Sequence, residues 1–434
     1  MPSISAVSTA SWSLASMKAS TSEQAAATSY VVVLKDGTDS SEVKQLCSYI
    51  NANLGIQCRK MLQHTVSGFI VQMLREEVFL MQTTENMMQT LMSALWSVVS
   101  YVREDEQLQL SSAVSFEDLS AAYLGSDASQ GLWGLDRLDK RSPARDYTFA
   151  YERDGSGVHL YVVDTGINAQ HVEFLTADGS SSRIGQGFSL DGLPPATDCN
   201  GHGTHVSGTA AGLTYGVAKD AFIHPLRVIG CDGSASMLDV VKALEWVHSS
   251  LQAPAVVLMS LGGPATAILD AAAQSLTDIG VTIVVAGGNS AGDACGDSPA
   301  RQPSVIAVGA IALGDAMASF SNGGSCIDIL APGVNILSAA PGSPTATAVM
   351  SGTSMSAPHV VGAAAQLLQA NPTAQPWEVR QTLQSQSSWN WVSEDTLMEG
   401  TPNVILNSLL PEPLQVAWIG NGSNMLVLTD ANSR

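Results

Sequence analysis

The stretch SGTSMSAPH, residues 351–359, comes immediately before an alanine-rich run that predicts a helix. Ser354 therefore falls in the first turn of that helix. At a helix N-terminus the dipole is positive and backbone N–H groups are available, so negative charge that develops beside the serine is stabilised. A serine nucleophile with part of an oxyanion hole is built in this way. An ordinary N-cap serine has the same position, and this stretch alone does not separate the two.

Two further motifs carry the residue types that a serine nucleophile needs. VHLYVV, residues 158–163, has the composition of a buried strand and is followed by Asp164. NGHGTHVSG, residues 200–208, has glycines that allow a tight turn into a helix with His202 at its start. Asp164, His202 and Ser354 thus follow the order of orienting acid, base and nucleophile, which predicts a catalytic triad.

Strands and helices alternate from residue 133 onward, which predicts an α/β fold: a three-layer, mostly parallel sheet with helices on both faces. The carboxyl ends of parallel strands meet at one edge of such a sheet, so the three motifs are expected to lie close together there. The predicted strands are Val158–Val163, Ala221–Val228, Ala255–Ser260, Thr282–Ala286 and Val305–Gly309. The predicted helices are Ser236–Ser250, Ala265–Ile279 and Ser354–Ala370.

These motifs resemble those of the subtilases, and within them the proteinase K-like group. The likeness runs from about Trp133 to Ser408 and includes MSLGG at residues 259–263 and AGGN at residues 286–289. It implies a subtilisin-like fold and a secreted serine endopeptidase that hydrolyses peptide bonds. The implied catalytic residues are the triad Asp164, His202 and Ser354, with Asn289 as the side-chain donor of the oxyanion hole.

The resemblance also implies where a polypeptide substrate binds. The substrate would add as a strand between two edges of the protein, which pair with its main chain. No charged residue occurs in the implied segments, so the expected specificity is broad, with apolar or aromatic residues preferred before the cut. The two edges are Ser260-Leu261-Gly262 and Gly233-Ser234-Ala235, and the first edge forms the pocket together with Ala286-Gly287-Gly288.

Calcium is the cofactor that the resemblance implies, in a structural role and without a catalytic metal. Two backbone oxygens and one carboxylate form the first candidate site, and such hard oxygen ligands suit Ca²⁺. A second candidate pairs Asp136 with Asp139, although Lys140 replaces the glutamine usual there and a solvated helix face is the alternative. The first candidate site comprises Pro303, Val305 and Asp328.

The N-terminal part has a weaker likeness to the subtilase propeptide, a small ferredoxin-like α+β inhibitor and chaperone domain. Its extended tail is expected to lie in the active-site cleft, and Ser354 is expected to cut the linker that follows, between about Ala121 and Gly131. A Met-rich helix from Glu77 departs from the family pattern. The expected organisation is a disordered segment at 1–28, the propeptide at 29–110, the linker at 111–132, the catalytic domain at 133–410 and a tail at 411–434.

The six cysteines include no C-x-x-C pair, which argues against a zinc or thioredoxin-like motif. The resemblance implies the disulfides Cys199–Cys231 and Cys295–Cys326, while Cys47 and Cys58 could form a bridge or stay reduced. Disulfides indicate an oxidising compartment and hence an extracellular protein, although residues 1–29 show no clear signal peptide.

Composition limits the partners. The net charge of −20 would repel phosphate, which argues against a nucleic-acid partner. The sequence contains no run of about 20 consecutive apolar residues, so no membrane span is predicted. The expected partners are polypeptide substrates and the chain's own propeptide, with the protein acting as a monomer.

Other classes explain the motifs less well. Asp164-Thr165-Gly166 is also the aspartic-protease signature, but no second copy occurs. Ser354 lacks the G-x-S-x-G pattern of lipase-like hydrolases. The alternative from another class is a catalytically silent subtilase scaffold that keeps its propeptide and acts as a binding protein.

Overall fold

The structure is a computed structural model of the 434-residue chain. It describes residues 28–73 except 36, 39 and 55, residues 99–110, residues 132–409 except 191, and two short strands at 415–418 and 426–429. The chain divides into two compact units, Met1–Asp105 and Glu106–Arg434. Residues 1–27 of the segment expected to be disordered lie outside the described residues, whereas Thr28 begins the first strand. Residues 111–131 of the expected linker also lie outside them.

The described part of the first unit is an antiparallel sheet in the strand order β2-β3-β1-β4, with a helix packed against it. Val43, Leu46 and Ile50 of the helix share one apolar core with Phe69 of the sheet. The disulfide Cys47–Cys58 joins the helix to β2. The elements are β1 (Thr28–Leu34), α1 (Ser40–Leu54), β2 (Gln57–Leu62), β3 (Gly68–Met73) and β4 (Val99–Glu104).

The sequence predicts strands at residues 30–34, 68–73, 98–102 and 107–110 and a helix at 40–51, and each has a counterpart in the structure. It does not predict β2, whose polar residues alternate with only a few apolar ones. The Met-rich helix expected from Glu77 lies outside the described residues. The ferredoxin-like propeptide therefore stays a prediction.

The described residues of the second unit form a nine-stranded sheet in the order β18-β19-β15-β14-β12-β10-β6-β8-β7. All neighbours are parallel except β18 and β19. The central strands are buried on both faces, as expected for a parallel sheet covered by helices. The strands of this sheet are β6 (His159–Asp164), β7 (Phe188–Ser189), β8 (Phe222–Arg227), β10 (Ala255–Met259), β12 (Thr282–Ala286), β14 (Ile306–Ile311), β15 (Ile329–Pro332), β18 (Ser388–Trp389) and β19 (Val404–Ile405).

The second unit also contains smaller sheets. The described residues include a four-stranded sheet in the order β13-β11-β5-β9, and β16 pairs with β17 and β20 with β21. These strands are β5 (Gln107–Leu110), β9 (Ser234–Ser236), β11 (Leu261–Pro264), β13 (Asp297–Ser298), β16 (Ile336–Ala339), β17 (Thr347–Met350), β20 (Gln415–Trp418) and β21 (Leu426–Thr429).

The helices of the second unit pack as two pairs, α3 against α6 and α4 against α5. The predicted fold class is confirmed: a mostly parallel sheet with helices on both sides. For the five strands and three helices predicted from the sequence, the observed ends lie within two residues of the predicted ones. The strands β7, β15, β18 and β19 and the helix Pro376–Gln386 were not predicted. The helices are α2 (Trp133–Leu138), α3 (His202–Ala211), α4 (Met237–Ser250), α5 (Ala267–Asp278), α6 (Thr353–Ala370) and α7 (Pro376–Gln386).

Two disulfides tie loops of the second unit together. Cys199 is joined to Cys231, and Cys295 to Cys326. In the chain-entropy model each loop of this length contributes on the order of 3–4 kcal/mol to stability. In the part of the chain that the structure describes, no helix is long and apolar enough to cross a membrane.

Candidate active site

Asp164 and His202 form a buried hydrogen-bonded pair. Asp164 is the last residue of β6 and His202 the first residue of α3, and neither is exposed to solvent. Both Asp164 carboxylate oxygens lie 2.9 Å from His202 Nδ1. A carboxylate accepts from Nδ1–H, which leaves Nε2 as the acceptor of a neutral imidazole. His202 Nε2 is buried and has no hydrogen-bond partner among the described residues.

Close backbone packing brings this pair together. Gly201 has a left-handed φ of 105° just before α3, a conformation that favours glycine. Gly203 lies so close to the turn after β6 that a Cβ on it would be 2.1 Å from the Gly166 carbonyl oxygen. The glycines of the NGHG motif therefore serve to dock the helix start against the strand end.

Asp198 is a positioning residue that the sequence analysis missed. Its carboxylate accepts from Thr165 Oγ1 at 2.9 Å, from Gly201 N at 2.8 Å, and from Thr204 N and Oγ1 at 2.9 and 2.6 Å. It thereby fastens the end of β6 to the first turn of α3. No N-cap pattern marks Asp198, because it lies four residues before the helix and the N-cap residue is Gly201.

Ser354 is fully buried in the first turn of α6. Its Oγ donates to the Ser260 carbonyl oxygen at 3.1 Å, and Ser260 Oγ donates to the Ser354 carbonyl oxygen at the same distance. The Ser354 hydroxyl is thus oriented towards the segment after β10. Catalytic hydrogen bonds often tighten only when substrate is bound, so this orientation is compatible with a later bond to His202.

Asn289 lies three residues after the end of β12, beside the start of α6. Its Oδ1 accepts from both Thr353 N and Thr353 Oγ1 at 2.9 Å. Gly288 N donates to the same Thr353 hydroxyl at 3.1 Å. Since Oδ1 faces Thr353, the donor Nδ2 is directed away from it, and the side chain is held next to Ser354.

A strand of the chain itself lies between the two predicted substrate edges. β5 pairs antiparallel with β11, with Leu261 opposite Leu110 and Gly262 opposite Gln109. On its other side it pairs antiparallel with β9. Leu110 N also donates to the Gly233 carbonyl oxygen at 3.3 Å. This cleft therefore accepts an extended main chain on both sides.

A cavity of about 220 Å³ opens beside Asn289. Its walls include the three predicted residues Ala286, Gly287 and Gly288, and the end of β5 forms one side. The sequence analysis missed Asp297, a carboxylate in this lining. No motif marks it, because it belongs to a two-residue strand that only the tertiary structure brings to the cavity.

The two other histidines of the motifs are packed residues. His205 Nε2 faces the carbonyl oxygens of Ile336 and Ala348 at 3.0 and 3.2 Å, and His359 Nδ1 faces that of Met355 at 2.8 Å. Burial lowers the pKa of His205 to about 3 and that of His359 to about 4. Both imidazoles are therefore neutral at ordinary pH.

An arginine lies on the predicted ligands of the first calcium candidate. Arg380 Nη2 donates to the Val305 carbonyl oxygen, and Arg380 Nε is 3.6 Å from Asp328 Oδ1. The other Asp328 oxygen accepts from Ala307 N at 2.8 Å. Pro303 is exposed in the same turn. The arrangement does not fit a calcium ion, because a cationic side chain already engages these oxygens. Calcium binding here stays a prediction.

Basic side chains also engage the second calcium candidate. Arg145 Nε is 3.1 Å from Asp136 Oδ2, and Lys140 Nζ is 2.9 Å from Asp139 Oδ1. Ala150 N donates to the other Asp139 oxygen at 2.6 Å. The described residues include no cluster of three or more His, Cys, Asp or Glu side chains suited to a metal ion.

The mostly parallel sheet with helices on both sides carries a buried Asp164–His202 pair, and Ser354 lies in the first turn of α6, an arrangement compatible with a serine hydrolase. Comparisons with known proteins agree. A family model described as the subtilase family matches residues 155–406, more than half of the chain. The chain belongs to the subtilase family, and it is a serine-type endopeptidase.

Individual relatives are similar over most of the chain. An extracellular serine proteinase of Thermus sp. is 46% identical over 67% of this chain and 69% of its own length. Alkaline serine exoprotease A of Vibrio alginolyticus is 39% identical over 82% of this chain and 61% of its own. The crystal structure of a cold adapted subtilisin-like serine proteinase has a TM-score of 0.60 at 44% identity, covering 64% of this chain and 98% of that one. A silent scaffold is not favoured by these relatives.

Proposed function

We propose that this chain is a secreted endopeptidase that cleaves polypeptides with Ser354 as nucleophile, His202 as base and acid, and Asp164 as orienting carboxylate. The observation that carries the proposal is the Asp164–His202 pair. It leaves a basic Nε2 buried and without a hydrogen-bond partner among the described residues. The disulfides and the names of the extracellular relatives support secretion.

In the first half of the reaction, Ser354 Oγ forms a bond to the peptide carbonyl carbon while its proton passes to His202 Nε2. Asp164 stabilises the imidazolium that results. The proton then moves to the leaving amine as the C–N bond breaks, which leaves an acyl-serine. In the second half, water gives a proton to Nε2 and attacks the acyl carbon. The ester bond to Ser354 Oγ then breaks, the carboxylic acid product leaves, and Oγ takes the proton back from Nε2.

The negative oxygen formed in each half needs hydrogen-bond donors that are already in place. The Ser354 backbone N–H at the start of α6 and the Asn289 amide are the two candidates. Thr353 holds Asn289 Oδ1 through two hydrogen bonds, which restricts the rotation of the amide. A donor that needs no reorganisation at the moment of reaction is the most effective kind.

The cleft between β9 and β11 is proposed to bind substrate as an added strand, with β5 showing the geometry. A Cβ on Gly263 would lie 2.8 Å from Leu108 Cδ2, so a side chain at this position would displace the end of that leucine in β5. The bonds to β9 and β11 involve only main-chain atoms, so they accept many sequences, and the cavity beside Asn289 receives the side chain before the cut.

The chain is proposed to mature by cutting its own linker, with β5 as the part of the inhibitor that occupies the cleft. Leu110, the last residue of β5, lines the cavity beside Asn289. Because each further residue adds at most about 3.8 Å of reach, the bonds closest to Ser354 are those directly after Leu110. We therefore place the cut after Ser111 or Ser112, at the start of the linker rather than between Ala121 and Gly131.

Two measurements test this function. Purified protein should hydrolyse casein, and a serine-directed sulfonyl fluoride should abolish the activity. Peptide hydrolysis that resists the reagent contradicts the role of Ser354. N-terminal sequencing of the mature species should then begin at Ser112 or Ala113, and a start beyond residue 120 contradicts the proposed cut.

A further inference from the structure

The cavity beside Asn289 contains a carboxylate, and its position bears on which side chain precedes the cut. Asp297 begins β13, which pairs antiparallel with β11 through Pro264 opposite Asp297 and Gly263 opposite Ser298. β11 is also the strand that pairs with β5 in the cleft. One short sheet thus holds both the extended chain and the carboxylate in a defined register.

Asp297 is held against the wall of the cavity. Its Oδ2 accepts from Asn322 Nδ2 at 3.0 Å and lies 3.2 Å from the point where a Cβ on Gly288 would be. Asn322 is fully buried, and its own Oδ1 accepts from Ser290 N, Ser290 Oγ and Gly292 N at 2.9–3.0 Å. The side chain of Asp297 is therefore supported by a residue that is itself rigidly held.

The charge of Asp297 is not balanced by a basic side chain of the described chain. Its described side-chain partner is the neutral amide of Asn322. Arg301, four residues on, donates its backbone N–H to the Asp297 carbonyl oxygen but directs its guanidinium to Asp270 at 2.6 Å. Burial raises the pKa of Asp297, although the Asn322 hydrogen bond lowers it. A partly desolvated carboxylate of this kind is stabilised by an incoming cation.

We propose that Asp297 makes this endopeptidase prefer lysine or arginine immediately before the cut. The glycine and alanine walls accept the methylene stem of such a side chain, and Asp297 pairs with its charged end. This replaces the apolar or aromatic preference expected from the uncharged wall segments. The inference rests on the proposed function, in which this cavity receives the residue before the cut.

The chain's own linker does not supply that residue. Residues 111–132 contain no lysine or arginine. A tethered segment reaches a high effective concentration at the site, so self-cleavage does not require the preferred side chain. The released segment would then fill the cavity poorly compared with a basic peptide substrate.

The test uses tetrapeptide amides that differ only in the residue before the scissile bond: lysine, arginine, norleucine, leucine and phenylalanine. Norleucine is the matched probe, since it has an unbranched aliphatic side chain like the stem of lysine and no charge. In the wild-type protein kcat/KM should be at least about tenfold higher for lysine than for norleucine, a difference of about 1.4 kcal/mol. A ratio near one, or a preference for phenylalanine, overturns the inference.

Asp297→Asn should reduce the lysine-to-norleucine ratio of kcat/KM about tenfold. Asp293→Asn is the control, because Asp293 is on the same loop, caps Cys295 N and does not line the cavity. It should leave the ratio unchanged. If Asp297→Asn fails to fold, the lysine-to-norleucine ratios of Asp297→Ser and of the wild-type protein are compared instead. An Asp297 variant with an unaltered ratio overturns the proposal.

Failure of the proposed function gives a different result. A protein that hydrolyses none of the peptides, or whose turnover resists a serine-directed sulfonyl fluoride, overturns both the function and the inference. Inhibitor-sensitive turnover without a lysine preference overturns the inference alone.

Discussion

The proposed catalytic group and the proposed substrate cavity are built in opposite ways. Asp164, His202 and Ser354 each lie at the first turn or last residue of a long regular element. Asp297 instead lies in a two-residue strand between a disulfide-closed turn and a loop. Groups on helices and strands are positioned more precisely than groups on loops. The comparison suggests that the chemistry depends on the sheet and its helices, and the choice of substrate on the loop around Asp297.

The largest effect on activity is expected from a substitution of Ser354, the proposed nucleophile. Ser354→Ala should reduce kcat for peptide hydrolysis by about 10⁶-fold, because no other group can form the acyl intermediate. The chain should also accumulate uncut. Ser356→Ala is the control. Ser356 lies on the same helix as Ser354, and its hydroxyl donates to the Ala331 carbonyl oxygen. The Ser356→Ala protein should retain activity. Near-normal turnover of Ser354→Ala, measured with a peptide amide, would falsify the assignment.

Asn289 stands between the two regions, since it borders both Ser354 and the cavity. Asn289→Ala should lower kcat about 10²–10³-fold with little change in KM, because an oxyanion donor acts mainly in the transition state. Steady-state kinetics on one peptide amide separate the two constants. A loss confined to KM would instead place Asn289 among the residues that bind the ground state.

The two packed histidines, His205 and His359, are expected to make the stability of the folded protein depend on pH. Their folded pKa values, about 3 for His205 and about 4 for His359, lie below the ordinary 6.5. The unfolded chain therefore binds more protons below pH 6.5, and stability should fall as pH decreases from 6.5 towards 4. For His359 the full effect is about 3 kcal/mol.

Thermal melts of the Ser354→Ala protein across this pH range measure that loss without self-digestion. His359→Gln should give a shallower dependence than its parent. An identical dependence would mean that His359 does not contribute to acid sensitivity.

The smallest effect is expected from a substitution of Arg380, which has no proposed role in catalysis, and it concerns the melting temperature. In the Ser354→Ala background, Arg380→Ala leaves the Val305 carbonyl and Asp328 available as oxygen ligands for Ca²⁺. Excess calcium should then raise Tm by about 3 °C relative to chelator, while the parent gains less. The gain should disappear when Asp328→Asn is added.

Lys242→Ala is the matched control, since it removes a cation from Asp239 on α4, where no calcium site is predicted. If chelator lowers the Tm of the parent protein, and Asp328→Asn removes that decrease, the result would instead support the calcium site expected from the sequence. Equal calcium responses of Arg380→Ala and its parent would mean that Arg380 does not compete for this position.

Much of the site was predictable because its signals are local. Glycines around His202, the apolar run before Asp164 and the small residues around Ser354 each mark a strand end or a helix start within a few residues. Five strands of the central sheet and three helices of the second unit were predictable for the same reason, since their hydrophobic pattern follows from burial by neighbouring layers. The strands β7, β15, β18 and β19 and the helix α7 were missed. β2, with little apolar pattern, was missed.

Other features depend on residues far apart in the chain. Asp297 borders the cavity only because β13 pairs with β11, more than 30 positions earlier, and Arg380 reaches Val305 and Asp328 only because α7 packs near the ends of β14 and β15. No local pattern reports such contacts. The sequence by itself thus determined the serine endopeptidase class and the alternating fold, and it marked the residues that are proposed to be catalytic. Only the tertiary structure decided which charges line the cavity and which cation engages Asp328, because both follow from long-range packing.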